Sequence, residues 1–433
     1  MPKKKIIVIG AGITGLSAAY HLQQNPDNDV TVLEKESRVG GVASSFTEGG
    51  FTFDRSIHIL FGKNPYAMNL IRELLGDNII EQRRSAWVYS HGVYTKYPFQ
   101  NHLYGLPKEV IEECITGFAN RQPTDKKDLY SWILATFGEG IAKHFMVPYN
   151  EKGWVYDLAK MSSSWIDGRV ALPTLEELKA GAYSDTESTF GKSSTFWYPK
   201  TGGIQSFSNA FAERVKNIFV GYGVVSIDPL LKHAIVERDT RVRRLEYDAL
   251  VYTADLSKVA SLLTVFLPLK IASSANKLRY NHVVVFNVGV EGKKFIKRHW
   301  VYFPEKEIPF RRIIFPNHFS PTVAPSGHFS IQVEISRENK EGNYVLSRPV
   351  RESLLACGII DSVDKIKFWG VDLLSPAYVI PTLDLPEHQK IILDYLKELD
   401  IYPCGRFGAW RYLNMDDSLL SGKETAEEID GKI

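Results

Sequence analysis

The sequence predicts an α/β fold for the first unit and an α+β arrangement for the chain as a whole. The parallel-sheet domain is interrupted by a mainly helical domain and by an antiparallel sheet. Four branched aliphatic residues at 6–9 precede a glycine-rich turn and the apolar helix pattern of 16–22. Helix patterns with apolar residues three or four apart predominate between about 100 and 195. Alternating apolar and polar residues between 283 and 335 are typical of antiparallel strands. The first unit is therefore predicted to be Rossmann-like.

The glycine-rich turn has the G-x-G-x-x-G spacing, with Gly10, Gly12 and Gly15. Gly10 permits a tight turn, Gly12 lets a pyrophosphate approach the backbone, and Gly15 lets helix and strand pack closely. Backbone N–H groups at the helix start then face the phosphates. A second strand pattern, 30–33, ends at Glu34, whose carboxylate suits a ribose diol and repels a 2′-phosphate. The turn predicts a dinucleotide site, the alternative being a glycine-rich turn without a ligand.

A second glycine pair, Gly40 and Gly41, follows closely behind Glu34. This arrangement is unusual in NAD dehydrogenases and usual in flavoproteins, where the chain crosses the cofactor phosphates twice. Arg38 is placed to pair with a pyrophosphate oxygen, the alternative being a surface arginine in a loop. The sequence therefore favours FAD as the cofactor.

Further patterns complete the predicted order of elements. Helices are predicted at 67–75, 107–118, 126–137 continuing through 140–146, 204–215, 387–399 and from about 421. Strands are predicted at 195–199, 221–227 (returning to the cofactor domain), 245–252, 283–290, 300–303, 313–316 and 329–335, with a hairpin over 87–99 that turns at His91-Gly92. The predicted domains are a discontinuous FAD-binding domain (1–96, 196–260, 400–433), a helical substrate domain (97–195) and a sheet-based substrate domain (261–399).

The composition narrows the class of protein. Hydrophobic residues make up 44%, charged residues 24%, and the net charge is +2, which argues against a dominant nucleic-acid role. Cys114, Cys357 and Cys404 are far apart, so neither a disulfide framework nor a metal site is predicted. Apolar runs are too short for a signal peptide or a membrane span, which predicts a cytoplasmic protein without membrane insertion. A homo-oligomer is left open.

Several longer motifs occur in order and together resemble UDP-galactopyranose mutase, particularly its eukaryotic-type branch, within the FAD-dependent amine oxidase and glutathione-reductase-like flavoproteins. They lie at 97–100, 106–109, 145–152, 154, 165–170, 300–304, 309–312, 405–412 and 415–418. The resemblance implies interconversion of UDP-galactopyranose and UDP-galactofuranose for cell-surface glycan synthesis. In that family the N5 atom of reduced FAD attacks the anomeric carbon without net redox change. It also implies an external reductant, with NAD(P)H expected.

The resemblance also implies roles for individual residues. Arg169 and Arg312 match arginines that steady the UDP diphosphate, Tyr302 and Tyr412 match tyrosines that reach it, and His58 matches the histidine against the flavin ring. The matched uridine pocket, for which a core cluster is the alternative, comprises Tyr97, Gln100, Phe145, Asn150 and Trp154. The matched cofactor residues are Gly10, Gly12, Thr14, Gly15, Glu34, Lys35, Arg38, Gly41, Val42, Val225, Gly405, Arg406, Asn414, Met415, Asp416 and Ser418.

The chain departs from the family pattern near the expected chemistry. Ser56 and Ile57 stand where the family has two glycines before the histidine, which predicts a stiffer or differently arranged loop because a β-branched residue resists positive φ. Phe319 stands where the eukaryotic-type family has a substrate-contacting tyrosine. These departures leave the sugar open. They also leave two alternatives, an FAD oxidoreductase of the amine or protoporphyrinogen oxidase type and a non-catalytic nucleotide-sugar-binding flavoprotein.

Overall fold

The computed structural model describes residues 2–122, 126–166, 168–187, 194–292, 298–341 and 343–431. The strands are β1 (Lys4–Ile9), β2 (Asn28–Glu34), β3 (Ser45–Glu48), β4 (Phe51–Asp54), β5 (Ile80–Arg83), β6 (Ala86–Ser90), β7 (Val93–Lys96), β8 (Thr195–Tyr198), β9 (Ile218–Val220), β10 (Gly223–Asp228), β11 (His233–Arg238), β12 (Arg241–Glu246), β13 (Ala249–Tyr252), β14 (Tyr280–Glu291), β15 (Trp300–Tyr302), β16 (Arg312–Ile314), β17 (His328–Arg337), β18 (Ile366–Val379) and β19 (Ile401–Pro403).

The helices alternate with these strands in the pattern of a mixed α/β protein. They are α1 (Ile13–Leu22), α2 (Pro65–Leu75), α3 (Lys108–Ala119), α4 (Leu129–Ile141), α5 (Val147–Trp154), α6 (Leu175–Tyr183), α7 (Gln205–Ala212), α8 (Val259–Leu262), α9 (Leu269–Lys277), α10 (Ser347–Ala356), α11 (Leu385–Glu398), α12 (Gly405–Gly408) and α13 (Met415–Ile429).

A parallel sheet in the order β19-β13-β1-β2-β9 forms the first unit, which confirms the predicted Rossmann-like architecture. Its central strand β1 buries its branched aliphatic residues, because a parallel strand covered on both faces excludes water. Helix α1 packs against α13, and the Ser17 hydroxyl donates to the Leu419 carbonyl at 2.6 Å. The C-terminal end of the chain therefore returns to the glycine turn at its start.

Two strand predictions need correction in this region. The strand predicted at 221–227 exists as β10, but it pairs with β11 in a separate antiparallel sheet, while β9 joins the parallel sheet instead. The strand predicted at 245–252 is divided between β12 and β13. The break falls where the Asp248 N–H donates to Lys5 O and turns the chain into the parallel sheet.

A second, larger sheet has the order β18-β14-β17-β16-β15-β6-β7. The strands predicted between 283 and 335 are confirmed in it, and the hairpin β6–β7 turns at His91-Gly92 as predicted. The hairpin lies within residues 1–96, which were predicted to belong to the FAD-binding domain. Its strand β6 nevertheless pairs in parallel with β15 of the large sheet. The sequence analysis missed β18, because most of its residues are half-buried and Gly370 and Pro376 interrupt its pattern.

The helical region contains α3, α4, α5 and α6; α3 and α4 match the helices predicted at 107–118 and 126–137, whereas α5 and α6 were not predicted individually. Helix α4 continues into a π-helical segment, Ala142–Met146, and then into α5, so the predicted continuation is confirmed. The final helix begins at Met415 rather than near 421. It begins earlier because Asn414 and Asp417 form a reciprocal capping box at its N-terminus.

Helices α3 and α4 pack in direct backbone contact at Gly140. A Cβ atom there would lie 2.2 Å from Glu113 O. We predict that Gly140→Ala lowers the free energy of unfolding by about 1–3 kcal/mol, because the helices must separate. The matched control is Gly153→Ala in α5, whose added Cβ would meet its nearest neighbour at 3.7 Å. Urea denaturation showing equal effects for the two variants would contradict this packing.

Candidate active site

The glycine turn places the start of α1 at the carboxyl end of the parallel sheet. Gly10 has a φ of +97°, and Gly12 is an extended N-cap without a side-chain cap. A Cβ on Gly15 would lie 1.9 Å from Gly10 O, so strand and helix pack as closely as predicted. The amides at this helix end are therefore available to an anionic group.

The second glycine pair lies against the first turn. Gly40 N donates to Ala11 O at 2.8 Å, and Gly12 and Gly40 form a parallel bridge. Glu34 is buried beside them, where its carboxylate accepts from Ala11 N at 2.8 Å and Glu36 N at 2.9 Å. This arrangement fits the ribose and pyrophosphate of a dinucleotide.

The C-terminal segment completes this site. A Cβ on Gly405 would lie 2.4 Å from the Thr14 hydroxyl, so the α12 segment reaches the start of α1. Asp416 accepts a hydrogen bond from Lys63 N at 3.0 Å, and Ser418 N donates to Asn414 O in the first turn of α13.

Three other predicted cofactor residues are exposed. Arg38 donates to Ser45 O at 2.6 Å, and Lys35 lies beside the start of β10. Val225 lies on β10 with 43% of its surface exposed. Their role at the cofactor stays a prediction.

A cavity of ≈210 Å³ lies between the parallel-sheet domain and the large sheet. This cavity brings together residues that were predicted to bind the cofactor and residues that were predicted to bind the substrate. Several further lining residues were not predicted from the sequence. The lining residues are Val42, Ser56, Ile57, His58, Ile59, Phe61, Arg84, Trp300, Tyr302, Arg312, Leu374, Ala377, Tyr378, Arg406, Tyr412, Asn414 and Met415. Three of these described residues are arginines and none is acidic, so the cavity favours an anionic ligand.

His58 faces this cavity in its neutral form. Burial is the main cause, and the positive charge of Arg406 the second, that lowers the pKa of His58 to about 4. Its Nδ1 lies 3.0 Å from Ser56 O, so the neutral ring donates there and keeps Nε2 as an acceptor. The positive φ in this loop falls at Ser56, at +150°, rather than at Ile57.

Glu334 lies beneath the cavity floor, and its side chain is completely buried. Arg312 Nε and Nη2 each donate to this carboxylate at 2.8 Å, and Arg311 Nη2 donates to it at 2.9 Å. Burial alone would raise the pKa of Glu334, but Arg312 and Arg311 outweigh it and hold the pKa at about 2. Two guanidinium groups share one carboxylate, which leaves an excess positive charge next to the cavity.

Sequence reasoning missed Glu334, Arg311 and Tyr378. A charged residue within the apolar pattern of 329–335 was the available signal for Glu334. Tyr378 lies on the unpredicted strand β18 and accepts a hydrogen bond from Arg311 at 3.2 Å. Burial raises the pKa of Tyr378, but Arg311 and Arg312 outweigh this effect and the pKa is lowered.

Arg169 lines a neighbouring cavity of ≈450 Å³ rather than the one that contains Arg312. Its Nη2 donates to Tyr412 O at 3.3 Å and lies 3.7 Å from Asp417 Oδ2. Tyr412 lines both cavities, so it separates the two arginines that the sequence predicted to act together.

The residues of the predicted uridine pocket line neither of these two cavities. Tyr97 contacts Tyr302 at 4.9 Å between ring centroids, and Phe145 stacks on the unpredicted Tyr149 at 5.2 Å. Gln100 is buried; its Nε2 donates to Ala171 O, while its Oε1 accepts no hydrogen bond from any described residue.

The other two predicted uridine residues bond to each other. Trp154 Nε1 donates to Asn150 Oδ1 at 3.2 Å. This contact also fits the core-cluster alternative. Phe319, the departure from the family tyrosine, is buried against Phe196 and Tyr198 and does not line either cavity.

Lys152 connects the helical domain to the segment that carries the arginine pair. Its Nζ lies 2.8 Å from each of the carbonyl oxygens of Phe303, Glu305, Ile308 and Phe310, which share its three N–H donors. These carbonyls lie in the loop between β15 and β16, so Lys152 holds this loop, while Tyr302 and Arg312 pair directly in the strand register.

The doubly crossed glycine site and the arginine-lined cavity define a dinucleotide-binding flavoprotein. Residues 13–347 match the family model described as flavin containing amine oxidoreductase, and the chain belongs to this family. The family and the site both support FAD, which the glycine approach and the buried Glu34 accommodate. No described helix is long and apolar enough to cross a membrane, and no cluster of described residues could hold a metal ion.

Solved structures support the resemblance predicted from the motifs. The crystal structure of a reduced UDP-galactopyranose mutase is 27% identical and has a TM-score of 0.94, with 100% of this chain and 95% of that chain covered. A putative protoporphyrinogen oxidase from Exiguobacterium sp. has a TM-score of 0.77 at 17% identity, with both chains fully covered, and shows the fold alone.

Curated relatives match shorter segments. Coproporphyrinogen III oxidase of Staphylococcus aureus is 30% identical over 109 residues, which are 25% of this chain and 23% of that protein. The Bacillus subtilis protein of the same name is 25% identical over 121 residues, 27% of this chain and 26% of that one. The matched segment thus spans about a quarter of these relatives.

The ion pairs of Glu334 predict acid-dependent stability. The pKa of Glu334 is about 2 in the folded protein, whereas the ordinary value of a glutamate is 4.5. The ionised side chain therefore stabilises the fold above pH 4.5, and this stabilisation is lost as the pH falls through 2. The difference corresponds to about 3 kcal/mol. We predict that Glu334→Gln is least stable relative to wild type near pH 6 and converges with it toward pH 3.

Urea denaturation between pH 3 and 6 measures this dependence. The control is Glu246→Gln, which alters an exposed carboxylate paired with Lys5 and should keep the wild-type dependence. Parallel curves for Glu334→Gln and wild type would show that the buried ion pairs do not set the acid limit.

Proposed function

We propose that this protein is a flavin-dependent mutase that interconverts UDP-galactopyranose, or a related UDP-hexose, with its furanose form. The observation that carries the proposal is a cavity lined by the segment around His58 and by Arg312, Tyr302, Tyr378 and Tyr412. The guanidinium group of Arg312 shares the buried Glu334 carboxylate with that of Arg311. The whole-chain similarity to a UDP-galactopyranose mutase supports it.

The residues of the cavity suit a diphosphate leaving group. Reduced FAD would supply the nucleophile for the anomeric carbon, and we propose NAD(P)H as the external reductant. Arg312 stabilises developing phosphate charge through the excess positive charge around Glu334. Tyr302 and Tyr412 offer hydroxyl donors, and Arg169 approaches the same ligand from the neighbouring cavity.

The aromatic cluster around Tyr97 would hold the uridine. Tyr97 is half-buried and would offer a face on which uracil stacks, whereas neighbouring aromatic rings cover both faces of Phe145. Trp154 contacts aromatic residues that line the neighbouring cavity, and it donates a hydrogen bond to Asn150. Gln100 Oε1 is a buried acceptor that matches the N3–H donor of uracil. The proposed partner is therefore a UDP-sugar.

A second candidate is an FAD oxidase that acts on an anionic porphyrinogen. The curated relatives named coproporphyrinogen III oxidase favour this candidate. Arginine side chains also pair with substrate carboxylates. A cationic amine is disfavoured as a substrate, because Arg84, Arg312 and Arg406 would repel it.

Turnover distinguishes these candidates. Dithionite-reduced, FAD-loaded protein incubated with UDP-galactopyranose should yield UDP-galactofuranose, resolved by liquid chromatography, while the oxidised protein should be inactive. Steady oxygen consumption with coproporphyrinogen and no furanose product would establish the oxidase instead. UDP binding with neither activity would leave a binding protein.

Arg312→Lys tests the diphosphate role. Lysine keeps the charge but loses the two-pronged hydrogen bond to Glu334 that orients the side chain toward the cavity, so we predict that UDP affinity falls about 10–100-fold while FAD content stays at the wild-type level. Calorimetry and flavin absorbance measure the two quantities. Arg214→Lys, at an exposed arginine paired with Glu73, is the control. An equal loss of FAD and UDP binding in Arg312→Lys would place Arg312 at the cofactor instead.

A further inference from the structure

Ser56 links the loop that carries His58 to the buried arginine pair. Its hydroxyl donates a hydrogen bond to Glu334 Oε1, on the carboxylate that also holds Arg311 and Arg312. Ser56 and Glu334 are 5% and 0% exposed, so water does not compete for this bond. Two residues further on, His58 Nδ1 lies 3.0 Å from Ser56 O. The short segment that carries His58 is therefore hydrogen-bonded to the carboxylate that holds the arginine pair.

The Glu334 carboxylate is fully occupied by these partners. Oε1 accepts from Ser56 and from Arg312 Nη2, while Oε2 accepts from Arg312 Nε and Arg311 Nη2. An ionised carboxylate has about four acceptor positions. Releasing Ser56 would leave a buried hydroxyl and a buried charged oxygen each one partner short, which is unfavourable in a low-dielectric interior.

The backbone of Ser56 indicates that this contact determines the loop conformation. Its φ of +150° lies in a region that a residue with a side chain rarely adopts. Such a conformation persists where its surroundings fix it. The bond to Glu334 is the described side-chain contact of Ser56, and its acceptor is in turn held by two arginines on β16 and the segment before it.

We propose that the Ser56–Glu334 hydrogen bond is a latch that holds the His58 loop in one conformation in both the oxidised and the reduced protein. Ser56 is thus a positioning residue for His58. Glu334, Arg311 and Arg312 anchor the latch, and their ion pairs keep all three side chains charged. Reduction of the flavin therefore does not release Ser56. The inference requires the family's flavin but not the sugar chemistry.

Hydrogen–deuterium exchange of the FAD-loaded protein tests the latch. Peptides covering 54–61 are compared in the oxidised and the dithionite-reduced states. In the wild type we expect exchange rates that agree within about twofold between the two states. In Ser56→Ala and Ser56→Gly we expect faster exchange and a difference of about tenfold or more between the states, because the loop becomes free to respond to reduction.

The control is Ser208→Ala, which removes another buried serine hydroxyl, donated to Ala43 O at 2.6 Å and away from the cavity. It should exchange like the wild type over 54–61. A large redox-dependent change in the wild type, or wild-type behaviour in both Ser56 variants, would overturn the latch. Loss of FAD from both variants would also overturn it, because Ser56 would then hold the cofactor rather than the loop.

This result is separable from the proposed activity. UDP titration of the same wild-type samples reports nucleotide binding independently of loop exchange. A loop that behaves as the latch predicts, in a protein that does not bind UDP, would support the latch and contradict the mutase proposal. UDP binding together with a wild-type loop that responds to reduction would support the mutase proposal and contradict the latch.

Discussion

The buried Glu334 carboxylate is the interaction on which the candidate site depends. It lies opposite Arg312 in the register of β16 and β17, and it also accepts a hydrogen bond from Arg311. Without it, two guanidinium groups would be buried side by side with no counter-charge, which is strongly unfavourable. With it, one positive charge remains uncompensated and lies next to the cavity. The fold thus keeps an excess of positive charge buried beside the cavity.

The rest of the structure keeps this charge in position relative to the cofactor site. Lys152 holds the segment between β15 and β16 through four carbonyl groups. Tyr302 and Arg312 lie at the two ends of that segment and pair directly with each other in the strand register. On another side, the Gly405 segment contacts the start of α1. The residues that line the cavity therefore come from stretches that are far apart in the chain.

Local patterns in the sequence predicted the parts of the site that depend on short-range geometry. The turn at Gly10 and the acidic strand end at Glu34 have fixed spacing, and the structure places them together. The positions of Glu334 and Tyr378 depend instead on the register of strands far apart in the chain, which periodicity does not encode. For the same reason, the sequence grouped Arg169 with Arg312, whereas Tyr412 separates them. The sequence drew attention to Ile57, which resists positive φ, whereas the positive φ of this loop occurs at Ser56, whose hydroxyl donates to the distant Glu334.

We propose that the excess of buried positive charge selects a diphosphate. Calorimetric titration of the FAD-loaded protein with UDP and with uridine, at low and high salt, tests this selectivity. We predict that UDP binds at least about tenfold more tightly than uridine, since charge-assisted hydrogen bonds contribute roughly 1.5–3 kcal/mol. We also predict that this difference persists at high salt, because buried charges are screened weakly. Equal affinities for UDP and uridine would contradict it.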